Sequence, residues 1–558
     1  MGVLVVGGGI TGLAAAYELG RAGIPTTLIE ATSRLGGKVA TEQLDGFVVE
    51  TGPDSFVSYR PAAAELAREL GLGDELIRPQ EPRTVHVRVD GRFATLPDGM
   101  GLVLPTRLLP FVTTDLFSVP QKLRAGLDLV LPRGGEAGDI AGGPFVARRL
   151  GRGLVDRLAG PLIGGVYGTP IDELSLDAVV PQLREAERRH RSLLLASLAD
   201  GRARRRSGRA PASPFISLRR GLGSLVDALV DELARLPSVD VVMDAPLESL
   251  GVRTSHVEAQ CRGDGLSFRS FQGDAAILAT PASVAAALLE PLAPEASRHI
   301  RSIPHGTTAI VSLGYAADQV PAGLGSHGFL VAGGEPLSLT ACTLSSRKWA
   351  GRAPDGALLA RAFMRPDLSE SAPDEELAAR AGRDLTELLG LRGRPVLQHV
   401  VRHRQAMPHY TVGHLDRIAA IDTALAALPN LAIAGGAYRG VGLPDCISHG
   451  RSAARRIAAL VAGPAETTSP VPAPSTAGAG DRRLLEVARG EGGRVTAVPA
   501  DIDDLAREGI RIGSDVVVQA RVPLGGPIVV RLGRARVAVP RAIASQVMVG
   551  ASPSGPDR

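Results

Sequence analysis

The chain has 558 residues, of which 44% are hydrophobic, 22% charged and only 3% aromatic, and its formal net charge is +4. That length exceeds what one core supports and suggests about three or four domains, while near charge balance and scarce rings argue against a nucleic-acid partner. The three cysteines, Cys261, Cys342 and Cys446, are widely spaced with no Cys-x-x-Cys pair, so neither a disulfide framework nor a thiolate metal site is expected.

Residues 3–6 read as a buried strand, followed by Gly7-Gly8-Gly9-Ile10-Thr11-Gly12 and an Ala-rich helix. Gly7 permits a tight turn, Gly9 lets the backbone approach a pyrophosphate, and Gly12 allows close packing. The amides of Ile10 and Thr11 lie at the helix N-terminus, where partial positive charge favours phosphate. Glu30 ends the next strand, 18 residues after Gly12, with Ala31 beside it. A carboxylate there can accept both ribose hydroxyls of an adenosine. The apolar N-terminus has no basic leader and is soon cut by glycines. No uninterrupted apolar run reaches the roughly 18 residues a spanning helix needs, so the expected location is the cytoplasm, with at most peripheral membrane contact.

Further along, residues 274–280 read as a strand ending at Pro281, and 202–209, RARRRSGR, as a basic solvated loop. Residues 431–434 read as a short strand, followed by a Gly-rich loop, and 445–460 as a helix, with Pro444 placed at its first position. Residues 463–480, GPAETTSPVPAPSTAGAG, cannot pack and read as a linker. The tail at 481–552 alternates short apolar runs with Gly-rich turns, at 493–498, 516–522, 527–532 and 536–540, with a short helix at 501–508 and a turn at 509–513. Five or six short strands in so few residues suggest a small barrel.

NAD and FAD both use the N-terminal unit. After Glu30 the chain continues Arg34-Leu35-Gly36-Gly37-Lys38. Adjacent glycines let it pass close over a pyrophosphate, and the flanking cations balance charge. Lys38 is one of only three lysines in the chain. This extension resembles the flavin-containing amine oxidase superfamily. The C-terminal run AYRGVGLPDC, with Val441, Gly442, Leu443 and Cys446, closely resembles the flavin signature of the oxygen-dependent protoporphyrinogen and coproporphyrinogen oxidases. Other segments resemble the same family in the same order: Gly52-Pro53-Asp54-Ser55-Phe56, Gly164-Gly165-Val166-Tyr167-Gly168, Ser345-Ser346-Arg347-Lys348-Trp349, and Ala406-Met407-Pro408-His409-Tyr410 with Gly413-His414. His403 stands where the family usually has Trp, His409 where it has Gln, and Leu247 where a Val contacts adenine.

The resemblance covers residues 1 to about 462. It implies an α/β body with a Rossmann-type FAD-binding part, built from segments at about 1–60, 215–285 and 425–462, and an interleaved α+β substrate part. It also implies non-covalent FAD, held by the glycine turn, Glu30, Ala31, Arg34, Gly36, Gly37, Lys38, Gly52, Pro53, Asp54, Ser55, Leu247, Val441, Gly442 and Leu443. The implied reaction removes six electrons from a porphyrinogen, two at a time, and passes them to O2 to yield H2O2. Arg83 and Arg107 are candidates for the propionates, Gly164, Gly165 and Tyr167 for the macrocycle, and the basic run offers an alternative propionate or membrane contact. No general base and no metal ligand is nominated, because the cofactor carries the chemistry. Coproporphyrinogen III is the expected substrate, with protoporphyrinogen IX as the alternative and a flavin-binding scaffold as the remoter one. Cys446 reads as a packed residue, and His403 as a lost ring contact. The tail resembles FeoA, an SH3-like domain, with Pro523-Leu524-Gly525-Gly526-Pro527 as its most characteristic piece. It contains no Cys or His, which points to a protein partner, such as a chelatase or an iron transporter, in preference to iron.

Overall fold

All four residues of strand β1 (Val3–Val6) are buried, and they alternate between two cores. Val3 and Val5 pack with Leu13 and Leu28 on one face of the sheet, and Leu4 and Val6 with Ile29 and Leu278 on the other. That two-sided burial is why the segment reads as a continuous apolar run. The computed structural model describes residues 2–97, 99–100, 104–134, 138–206, 213–262, 268–462, 482–488, 491–497, 510, 513–521, 528–532, 535–539 and 541–550.

Helix α1 (Ile10–Arg21) follows β1, then strand β2 (Thr26–Ile29). The chain leaves this layer and returns to it with β3 (Val239–Val242), β4 (Ala275–Leu278), β5 (Leu431–Ile433) and helix α2 (Leu443–Val461). The five strands form a parallel sheet in the order β3-β2-β1-β4-β5. Strand order reverses at β1, so the glycine turn opens at the crevice where such sheets bind ligands. A three-stranded antiparallel sheet, Leu247–Val252, Val257–Arg262 and Phe268–Gly273, is inserted between β3 and β4.

The remainder of the body is a seven-stranded mixed sheet and a helical layer. Leu397–Pro408 forms one edge of the sheet, followed by His305–Tyr315 and Leu358–Met364, with Leu339–Leu344 at its centre. The helices between Leu108 and Arg206 share a core that includes Phe145, Leu158 and Ile163. One of them, Val155–Gly164, is a π-helix with Pro161 inside it, a form that is rare at this length and frequent near functional sites. Among the described residues no helix is long and apolar enough to cross a membrane.

Met1–Gly463 and Pro464–Arg558 are two separate compact units. The second is one antiparallel sheet in the order 482–483, 548–550, 492–497, 515–521, 528–532, 535–539, wrapped around Leu484, Val495, Val518, Val530, Val539 and Val549. The expected linker, the helix at 501–508 and the Pro523–Pro527 run lie outside the described residues, as does most of the turn at 509–513. Two local expectations are corrected. The basic run is not a loop at its start, because helix Leu193–Arg206 continues through Arg202. Helix α2 begins at Leu443, one residue before Pro444, because Gly442 takes the extended N-cap conformation.

Candidate functional site

The glycine turn and the second glycine pair close on each other. Gly36 N–H donates to the Gly8 carbonyl at 2.8 Å, and Gly9 and Gly36 form a parallel bridge. A Cβ on Gly37 would lie 3.2 Å from Gly9 Cα, whereas one on Gly9 would meet nothing within 4 Å. The two loops are therefore packed against each other, while Gly9 borders open space on its free side. Ile10, Thr11 and Gly12 begin α1, where helix geometry leaves their N–H groups without intrahelical acceptors, and no side chain caps this end.

Glu30 lies at the C-terminal end of β2. Its carboxylate accepts from Gly8 N–H at 2.6 Å and from the Thr32 N–H and hydroxyl at 2.9 and 2.8 Å. Each carboxylate oxygen retains acceptor capacity beyond these bonds. Ala31 follows on the exposed side. Leu247 is carried beside Glu30, because Ala245 N–H donates to the Glu30 carbonyl at 2.9 Å. Thr280, just past β4, keeps a buried hydroxyl without a hydrogen-bond partner.

Arg34 donates to the carbonyls of Leu35 and Gly37, bracing the second glycine loop. Lys38 Nζ donates to the Ala406 carbonyl at 2.6 Å, tying the cofactor side to strand Leu397–Pro408. Its ammonium still meets solvent but is walled by protein, and that partial loss of hydration lowers its pKa. His403 Nε2 lies 2.9 Å from the Thr51 carbonyl, the donor role an indole N–H would fill at this position.

The segment 50–55 is held from behind. A Cβ on Gly52 would lie 1.8 Å from the Lys38 carbonyl, so only glycine lets these two backbones pass. Pro53 is exposed beside it. Asp54 Oδ2 accepts from Lys348 Nζ at 3.0 Å and from Trp349 Nε1 at 3.2 Å, and Ser55 Oγ caps Oδ1 at 2.7 Å. Arg361 reaches Asp54 at 3.8 Å and donates to the Gly52 carbonyl at 2.5 Å. Burial alone would raise the Asp54 pKa, but Lys348 and Arg361 outweigh it and hold the carboxyl below its usual range. Asp54 thus anchors the segment from behind.

Opposite these loops, Gly442 caps α2 without a side-chain bond, leaving its first-turn amides free. Val441 and Leu443 flank it, Leu443 in the core behind the groove. Cys446 Sγ packs 3.9 and 4.0 Å from the Gly440 and Val441 carbonyls, and burial pushes its thiol up to about 11. α2 crosses α1 so closely that a Cβ on Gly450 would lie 2.1 Å from the Thr11 carbonyl oxygen. The two uncapped N-termini therefore belong to helices in direct contact.

On the substrate side, Gly164 is buried against the Thr169 carbonyl, 2.9 Å from where a Cβ would stand, while Gly165 borders open space. Tyr167 lies 5.8 Å from the Tyr410 ring, and burial raises its pKa to about 12, with Asp445 adding to the effect. Arg83 stacks over Phe215 at 5.8 Å, and burial lowers its pKa. Arg107 is exposed at the start of helix Leu108–Thr113, and among the described residues no contact ties it to the groove. The structure thus brings together the two glycine loops, Glu30, Lys38, segment 50–55 and α2. Sequence reading assigned no role to Arg361 or Thr280, and gave Tyr410 and His414 only as parts of a motif. For the first two no local pattern signals a site.

The open flank of Gly9, the orphaned Thr280 hydroxyl and two uncapped helix ends line the crevice past the C-terminal ends of β1, β4 and β5, and their free donors suit a flavin cofactor. Comparisons with known proteins agree with this geometry. A flavin-containing amine oxidoreductase family model matches residues 10–458, and a FeoA domain model matches residues 482–551. A coproporphyrinogen III oxidase of Propionibacterium freudenreichii subsp. freudenreichii is 46% identical over 83% of this chain and 92% of its own length. One from Bacillus subtilis (strain 168) is 33% identical over 81% and 96%, and a protoporphyrinogen oxidase from Bos taurus 32% identical over 82% and 98%. The solved structure of an Exiguobacterium sp. 255-15 protein assigned as a protoporphyrinogen oxidase aligns with a TM-score of 0.71 at 32% identity, covering 82% of this chain and 98% of that one. The chain belongs to the flavin-containing amine oxidoreductase family and ends in a FeoA domain.

Proposed function

We propose that this protein binds FAD non-covalently and oxidises coproporphyrinogen III to coproporphyrin III, with three O2 reduced to three H2O2 for the six electrons removed. The observation that carries the reading is the groove between the Gly9 turn and the α2 N-terminus, in a chain 46% identical to a coproporphyrinogen III oxidase over most of both lengths. Bound there, the flavin supplies two-electron oxidation and reactivity toward oxygen.

The protein's own contribution is binding, orientation and exclusion. The amides of Ile10, Thr11 and Gly12 take the pyrophosphate, with Gly8, Gly9, Gly36 and Gly37 giving backbone close approach. Glu30 accepts the ribose hydroxyls, and the backbone at Leu247 lies beside them. The free amides of α2, behind Val441 and Gly442, favour negative charge at the pyrimidine end of the ring. Gly165 offers a surface without a side chain on which a flat macrocycle can lie, with Tyr167 at its edge. Arg83, held over Phe215, takes a propionate, and Arg107 is a second candidate on its charge alone. No side chain is assigned as base, since pyrrole N–H protons can pass to water.

The four propionates of coproporphyrinogen suit a protein with no spanning helix among its described residues, working in the cytoplasm or peripherally at a membrane. The bovine relative supports protoporphyrinogen IX as the second reading. Measuring kcat/KM for both porphyrinogens, prepared anaerobically and then aerated, separates them, and a preference for protoporphyrinogen would reverse the assignment. The FeoA domain serves as a docking module for a chelatase or an iron transporter.

A further inference from the structure

Rings outside the groove hold the backbone of the loop that leads into α2. Tyr410 Oη accepts from Gly440 N–H and donates to the Gly436 carbonyl, both at 2.7 Å. His414 stacks on Tyr410 with ring centroids 3.8 Å apart and planes 15° from parallel, and its Nε2 meets the Tyr438 carbonyl at 2.9 Å. Tyr410 and His414 are 2% and 0% exposed, so neither bond competes with bulk water. Gly440 sits at φ +125° and Gly435 at +146°, conformations that side chains rarely adopt. Glycines at both ends leave the loop without stiffness of its own. One hydroxyl joining residues four apart therefore sets its shape.

Tyr410 also belongs to the substrate side. Its carbonyl accepts from Ser175 N–H at 2.7 Å, and its ring meets Tyr167 at 5.8 Å. The residue is anchored by its backbone to the helical layer and by its hydroxyl to the cofactor loop.

We propose that Tyr410 is a positioning residue for the flavin: its hydroxyl clamps residues 436–440, so aims the first-turn amides of α2 at the bound ring, and its contact with Tyr167 couples that aim to the substrate segment. This rests on the function proposed above. Tyr410→Phe keeps the ring stack and removes both bonds, leaving the donor of half-buried Gly440 and the acceptor of half-buried Gly436 without their partner. That loss is equivalent to a roughly ten- to hundredfold change in the local opening equilibrium.

The test uses the flavin-loaded full chain. Tyr410→Phe is expected to stay folded and keep FAD, to exchange the Gly440 amide about tenfold or more faster, and to lower the flavin reduction potential. Enzyme reduction at saturating porphyrinogen should slow while KM changes little. An unchanged potential together with unchanged exchange in a folded variant would overturn the proposal. Should the variant not fold, exchange in the unsubstituted protein decides: a Gly440 amide protected as well as those of β5 supports the clamp, and fast exchange there refutes it. An unsubstituted chain that takes up no flavin would defeat the proposed function, while its exchange pattern would still decide the clamp.

Discussion

Lys348 Nζ lies 3.0 Å from Asp54 Oδ2, joining residues 294 positions apart in a pocket where both side chains are about 15% exposed. With Arg361 beside them, the carboxylate holds two cations and, through the Gly52 carbonyl, the wall of the groove. Asp54→Asn leaves those cations buried without their counter-charge and is expected to cost about 3–5 kcal/mol. Because the folded pKa lies below the unfolded value, the stabilisation is complete above the ordinary carboxylate range. It is lost as pH falls below about 4. Thermal unfolding of the variant at pH 7 and of the parent down a pH series checks both. A variant as stable as the parent would show that the ion pairs contribute nothing.

Gly9 and Gly12, three positions apart, should fail in different ways. A Cβ on Gly9 meets nothing within 4 Å, so Gly9→Val should leave the apo fold and its Tm intact while FAD binding falls at least a hundredfold. A Cβ on Gly12 would stand 1.9 Å from the Gly7 carbonyl oxygen, so Gly12→Ala should lower the Tm of the apo protein itself. Flavin titration alongside calorimetry of the apo proteins distinguishes the two. Normal affinity in Gly9→Val would displace the pyrophosphate from this turn.

These contrasts show what the chain declares locally and what it does not. The glycine turn, Glu30 and α2 are legible because strand, turn and helix follow one another within a few residues and the glycines point to a pyrophosphate. Asp54 lies in the Gly52–Phe56 run that carries part of the resemblance, yet its partners Lys348 and Arg361 come from about 300 residues away, and no spacing rule connects them. The π-helix at Val155–Gly164 likewise has no periodicity that distinguishes it from an α-helix interrupted by Pro161. Charge alone makes the basic run look like a loop, although helix Leu193–Arg206 extends into it from an apolar start packed at Leu193 and Leu194.

Seven histidines, His86, His305, His327, His403, His409, His414 and His449, have pKa values lowered chiefly by burial. Between their folded values and about 6.5 the unfolded chain binds more protons, so stability rises with pH across that interval. It is fully present above pH 6.5 and lost below, at up to about 1.4 kcal/mol per pH unit for each histidine fully engaged. The midpoint of urea unfolding should drop from pH 7.5 to 5.5. His403→Gln, which keeps a donor for Thr51, should flatten the slope by up to one proton. A midpoint independent of pH over this interval would contradict the burial argument.

Thiol chemistry gives a simple count. Burial raises the pKa of Cys261 and Cys342 and carries Cys446 to about 11, so little thiolate exists at pH 8. A disulfide reagent should label no cysteine quickly in the folded protein and all three once it is denatured. Cys446→Ser should retain FAD and turnover within about twofold, since the residue packs behind the loop. Rapid native labelling of Cys446 would mean the α2 N-terminus opens in solution.

The last prediction concerns the tail. Its sheet encloses its own core, with Leu484, Val518, Val530 and Val547 each 0% exposed, and the body ends at Gly463 with its own cores complete. Every residue placed at the candidate site lies in the first unit, Met1–Gly463. Deleting residues 465–558 should therefore leave the flavin absorption spectrum, FAD affinity and porphyrinogen turnover unchanged within error. The same deletion should abolish capture of the chelatase or iron transporter by the immobilised full chain, if docking is the tail's task. Loss of flavin or of turnover on truncation would show that the tail completes the oxidase body, and the two-unit division would then be structural only. Retained capture would place the docking surface on the body, where the exposed Leu109, Val112, Val119, Leu123 and Val130 are 58–73% accessible and would be the first positions to substitute.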